Sequence, residues 1–112
     1  MKVSVVIPTI NEESSIGSVI DEIPIKAEII VVDSNSKDKT VEIAKSKGAK
    51  IINEPRLGYG RAYKTGFENA TGDIIVTLDG DLTYPAYKIK EFVEMLEKEK
   101  LDFITCDRLT KL

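Results

Sequence analysis

A chain of 112 residues is the length of one domain and leaves no room for a second core, because independent domains usually need about 100–150 residues. Lys and Arg total 16 against 19 Asp and Glu, a net charge of -3, and three arginines are too few to track a phosphate backbone, which argues against nucleic acid as a partner. One cysteine, Cys106, and no histidine exclude an internal disulfide, a His/Cys zinc site and a His-based triad. Any chemistry must run on carboxylates, hydroxyls, amides and a few cations. No apolar run approaches the roughly 18–20 residues of a membrane span, and the first residues lack the layout of a signal peptide, so the expected location is cytoplasmic.

In chain order, short β-branched runs alternate with amphipathic stretches. KVSVVIP over Lys2–Pro8 predicts the first strand. Ile16, Val19, Ile20 and Ile23 then recur at i, i+3, i+4 and i+7, predicting a helix over Glu12–Ile23 with Asn11 as its N-cap. EIIVVD over Glu28–Asp33 is the second strand, Thr40–Lys47 the second helix and Lys50–Asn53 the third strand. A helix over Arg61–Ala70 leads to DIIVTLD at Asp73–Asp79. Gly48 and Gly72 are expected to stop the helices before them. Ile89, Phe92, Val93 and Leu96 mark a helix over Pro85–Lys100, and DFIT at Asp102–Thr105 a last strand.

This alternation predicts an α/β fold: a Rossmann-like open, mainly parallel sheet, with right-handed crossovers and helices on both faces. The nearly continuous apolar strands fit a sheet covered on both sides. Ligands of such sheets bind beyond the carboxyl ends of the strands, near the point where strand order reverses.

Four connections at that edge carry polar residues. Pro8-Thr9-Ile10-Asn11-Glu12 turns into a helix whose first N–H groups are expected to be open to a nucleotide, although capping alone would also account for Asn11 and Glu12. Asp33 at the second strand tip can accept from a ribose or a base edge, or can organise a polar turn capped by Asp38. Arg56-Leu57-Gly58-Tyr59-Gly60-Arg61 sets two glycines between arginines, a pattern suited to a diphosphate. Asp79-Gly80-Asp81 offers two carboxylates to Mg²⁺ or Mn²⁺, a solvated acidic turn being the plainer reading. Neither GxGxxG after the first strand nor GxxxxGK[ST] is present, which disfavours a dehydrogenase and a P-loop NTPase.

VSVVIPTINEE, EIIVVDSNSKDKT, RLGYGRAYKTGFENATGD and IIVTLDGDLTYP, in this order, resemble the GT-A glycosyltransferases of family 2, in particular the dolichyl-phosphate mannose synthase-like group. The resemblance implies a sugar transferase using a nucleoside diphosphate sugar, with an acceptor hydroxyl or a lipid phosphate such as a polyprenyl phosphate as the acceptor, and a divalent cation, Mg²⁺ or Mn²⁺, on the diphosphate. Carried over by position, it implies nucleotide or donor contacts from Pro8, Ile10, Glu12, Asp33, Arg56, Asp79, Gly80, Asp81 and Arg108, and metal ligation by Asp79 and Asp81. No catalytic base is assigned.

The chain departs from the pattern in Ser34-Asn35-Ser36 after Asp33, and in Thr83 and Tyr84 after the aspartates. Family members usually continue for a hundred or more further residues, so residues 1–112 correspond to the nucleotide-sugar-binding half. Such a half is expected to self-associate through the face left for the remainder, and the full-length protein to lie peripherally at a membrane. The competing reading is a noncatalytic nucleotide-binding or regulatory α/β module. A response-regulator receiver lacks its acidic pair here, and a sugar nucleotidyltransferase its glycine-rich opening.

Overall fold

The computed structural model describes residues 2–78 and 103–105. Five strands form one sheet: β1 (Val3–Thr9), β2 (Glu28–Asp33), β3 (Lys50–Asn53), β4 (Ile74–Thr77) and β5 (Phe103–Thr105). Their order is β3-β2-β1-β4-β5 and every pairing is parallel. β1 is central, and all seven of its residues are buried, as its uninterrupted apolar run requires. The chain adds β2 and β3 on one side of β1 and β4 and β5 on the other. Strand order therefore reverses between β1 and β4, which makes the carboxyl end of β1 the switch point of the sheet.

Three helices cover the described sheet: α1 (Ile16–Asp21), α2 (Thr40–Ser46) and α3 (Tyr59–Asn69). Alternation along β1 divides the core. Val3, Val5 and Ile7 face Ile16, Val19 and Ile20 of α1 and Ala44 of α2, while Val6 joins Ile30, Val32 and Ala62, backed by Tyr63 and Phe67 of α3. Ile7, Ile16 and Ile30 are fully enclosed, and each such side chain contributes about 1.5–3 kcal/mol relative to exposure.

β2 and β3 fall where the sequence puts them, and α2 begins as expected at Thr40. Gly48 ends α2 at φ +89°, and the N–H of Ala49 donates to the carbonyl of Ala44 at 3.2 Å, the closing bond of a left-handed helix stop. α3 begins two residues before the expected Arg61.

Other expectations are corrected. α1 begins at Ile16 with Ser15 at the N-cap, four residues after the predicted Glu12. Asn11 does not cap it, because Asn11 sits at φ +53° in the left-handed region and its side chain is used elsewhere. The far end of α1 stops at Asp21, since Pro24 disfavours helical backbone at Ile23. Gly72 does not stop α3, which ends at Asn69 with extended backbone at Ala70. Its requirement is space: a Cβ at Gly72 would lie 2.7 Å from the Ser4 backbone nitrogen, and the Gly72 N–H donates to Ser4 Oγ at 2.9 Å. The helix expected over 85–100 lies outside the described residues.

Candidate functional site

The carboxyl edge carries a cleft of about 160 Å³ lined by Pro8, Thr9, Ile10, Glu12, Ser34, Leu57, Gly58 and Ala62. Pro8 on β1 follows Val6 at even spacing and Ala62 of α3 also lines the cleft, so the cleft opens on the face covered by α3. The segment between β3 and α3 forms its far wall. Among the described residues, the exposed large apolar side chains are Ile10, at 46%, and Leu57, at 70%, and both line this cleft. Apolar surface gathered at a polar edge is the kind that a ligand or another protein segment covers.

Behind the cleft, Asp33 is 3% exposed. Its Oδ1 accepts from Thr9 Oγ1 at 2.6 Å and from Ser36 Oγ at 2.6 Å, and its Oδ2 accepts from the Ser36 N–H at 2.8 Å. This desolvated carboxylate is tolerated because hydroxyl and amide donors replace its water. Thr9 lines the cleft, so Asp33 fixes one wall.

From Ser36 the network crosses to the β1–α1 connection. The Asn11 N–H donates to Ser36 Oγ at 2.8 Å, and the Lys37 N–H donates back to Asn11 Oδ1 at 2.8 Å. The Glu12 N–H donates to Thr40 Oγ1 at 2.8 Å and the Glu13 N–H to Asp38 Oδ2 at 3.1 Å. The expectation that these N–H groups stand open is therefore corrected: all three are taken by side chains of the β2–α2 connection and the first residue of α2. Their unsatisfied state would be costly, and local hydroxyls and carboxylates reach them first. The Asp38 carboxyl lies below its ordinary range: partial burial pushes it up, but hydrogen bonds from Thr40 and from the Glu13 N–H outweigh that.

Glu54, just past β3, is a polar residue that the motif reading passed over. It is 4% exposed. Its Oε2 accepts from Arg56 Nε at 2.9 Å and its Oε1 accepts from Arg56 Nη2 at 2.6 Å and Thr65 Oγ1 at 2.8 Å. The Arg56 fork and then the Thr65 hydroxyl hold its carboxyl down to about 2, so the group is charged throughout the physiological range. Arg56 is correspondingly turned to Glu54 and away from the cleft lining, while Pro8, Ile10 and Glu12 line the cleft directly. The sequence shows only an acid two residues before an arginine; its burial, which singles it out, comes from the fold.

Asp79, Gly80, Asp81 and Arg108 lie outside the described residues. The described chain leads toward the first three: Leu78 is buried and its N–H donates to the Val6 carbonyl at 3.0 Å, fixing the exit from β4 beside β1. Among the described residues no group of three or more His, Cys, Asp or Glu could hold a metal ion. No helix of the described residues is long and apolar enough to cross a membrane.

Comparison with known proteins identifies the family. The model for glycosyl transferase family 2 matches residues 4–111. The chain belongs to that family. It is 40% identical over 96 residues to an uncharacterized glycosyltransferase of Mycobacterium tuberculosis, a match that covers 86% of this chain and 44% of the relative. It is 37% identical over 112 residues to a dolichyl-phosphate hexose transferase of Haloferax volcanii, covering 96% of this chain and 48% of that protein. The fold is similar to the crystal structure of glucosyl-3-phosphoglycerate synthase from M. tuberculosis in complex with Mn²⁺, UDP and glucosyl-3-phosphoglycerate, at a TM-score of 0.74 and 33% identity, over 86% of this chain and 39% of the other. The chain thus spans about half the length of these family 2 relatives.

Proposed function

We propose that this chain is the donor-binding part of a glycosyltransferase that moves a sugar from a nucleoside diphosphate to a polyprenyl phosphate. The observation that carries the reading is the cleft at the switch point, with Ile10 and Leu57 exposed in it. A nucleoside gives such a cleft a planar ring for its apolar walls and hydroxyls for its polar ones. Pro8, Ile10 and Glu12 contact the nucleotide. Asp33 supports Thr9, and one lone pair of its Oδ2 is not engaged by the bonds described. Arg108 serves the donor phosphates, whereas the Arg56 fork is held by Glu54. A solved structure of similar fold was crystallised with UDP and Mn²⁺, which favours the same class of donor and cation here.

Asp79 and Asp81 would hold Mg²⁺ or Mn²⁺. The donor set is hard oxygen only, and two carboxylates leave coordination positions for diphosphate oxygens, as such cations prefer. When bound, the cation neutralises negative charge on the departing diphosphate. The acceptor reading draws on the relative that acts on dolichyl phosphate. A phosphate nucleophile is already anionic, so the chain need not supply a base. Membrane contact then belongs to the lipid acceptor and the whole protein.

The reading is tested by calorimetric titration with UDP, GDP and their sugar conjugates, with and without Mn²⁺ or Mg²⁺. One nucleotide is expected to bind, at least tenfold more tightly with the cation, and Asp81→Ala is expected to remove that metal dependence. No binding of any of them, with or without metal, would contradict the reading and favour a module of another kind.

A further inference from the structure

The segment from Pro55 to Gly58 belongs to no strand or helix, yet it supplies two residues of the cleft wall, Leu57 and Gly58. Leu57 is 70% exposed, so packing alone does little to hold it. Gly58 has φ +122°, a conformation that other residues adopt only under strain. Something other than burial must set this wall, and Glu54 stands where it can.

The Glu54 N–H donates to the Asp33 carbonyl at 2.9 Å, which pins the residue to the end of β2. Its carboxylate then accepts from the Arg56 backbone N–H at 3.2 Å as well as from the Arg56 fork and from Thr65 on α3. The Glu54 side chain is 5% exposed against 62% for Arg56, so the fixed partner is the acid and the adjustable one is the loop. A bidentate pair of this kind sets orientation as well as distance. The next residue along the chain is Leu57.

We propose that Glu54 is a positioning residue for nucleotide binding, acting through Arg56 to hold Leu57 and Gly58 at the wall of the cleft. The proposal rests on the reading of the cleft as the nucleotide site. It differs from a stability role in one measurable respect. If Glu54 acts through the wall, its effect on affinity disappears once Leu57 has been truncated.

The test is a double-mutant cycle on the 112-residue chain, with UDP and GDP in Mn²⁺ as probes and affinity read by calorimetry. Glu54→Gln and Leu57→Ala are each expected to weaken the tighter nucleotide about tenfold, and adding Glu54→Gln to Leu57→Ala to cost less than about twofold. Should Glu54→Gln fail to fold, Arg56→Lys completes the same cycle, since Arg56 is exposed and the lysine loses the fork while keeping the charge. Losses that simply add, or a Glu54→Gln chain that binds as the parent does, overturn the proposal alone. A parent chain that binds neither nucleotide overturns this proposal and the donor-site reading together.

Discussion

Gly66→Ala lowers the stability of this domain by about 2 kcal/mol, and Gly66→Val by about 3 kcal/mol or more. On an exposed helix the alanine would stabilise by up to about 1 kcal/mol. Here the helix face decides the sign. A Cβ at Gly66 would stand 2.3 Å from Val6 Cγ1, 3.1 Å from Val6 Cγ2 and 3.3 Å from Val32 Cγ2. Val6 and Val32 are fully buried in the centre of the sheet, and a β-branched side chain has one comfortable rotamer to offer. α3 must therefore lift from β1 and β2, which also moves Ala62 and Gly58 at the cleft. Thermal unfolding is the check: the alanine variant should melt about 8 °C below the parent. An equal or higher midpoint would mean that α3 does not pack this closely on Val6.

Asp33→Ala should cost about 3 kcal/mol, because it removes three hydrogen bonds to a charge and strands the donors that made them. Thr9 is 4% exposed and its hydroxyl would have lost the acceptor it uses. Ser36 would lose both of its bonds to the carboxylate, and with them the placement of the Oγ that accepts the Asn11 N–H. The disturbance should thus run from β2 into the β1–α1 connection. Asp33→Asn keeps the Oδ1 acceptor but opposes an amide to the Ser36 N–H, so it should lose less than alanine and more than nothing. Urea unfolding gives the stability, and hydrogen exchange at Asn11 and Ser36 should accelerate in both variants. A change below about 0.5 kcal/mol in Asp33→Ala would show that the carboxylate is not the tie between the two loops.

Much of the frame is legible in the sequence because it is governed by local pattern. β-branched runs specify β1, β2 and β3, and the edge that carries the site follows from strand–helix alternation. What escapes the pattern depends on partners distant in the chain. The N–H groups of Asn11, Glu12 and Glu13 look available until the β2–α2 connection, some 25 residues on, is folded against them. Gly72 reads as a helix stop because nothing nearby reveals that the Ser4 backbone passes beside it. Glu54 reads as one of many surface acids, yet it is buried against Arg56 and Thr65. Of the cleft lining, Pro8, Ile10 and Glu12 belong to the motif read from the sequence, whereas Leu57 stands out only once its exposure and its place in the cleft are known together.

On the proposed function, a nucleoside diphosphate sits between the end of β1 and the start of α3. Amide chemical shifts of the nitrogen-15-labelled chain, followed as the nucleotide selected by calorimetry is added with diamagnetic Mg²⁺, test it. The largest shifts are expected on Thr9, Ile10, Glu12, Ser34, Leu57, Gly58 and Ala62, the non-proline residues that line the cleft. Shifts centred on Lys2, Ala27 and Glu28, at the opposite end of the sheet, would contradict it.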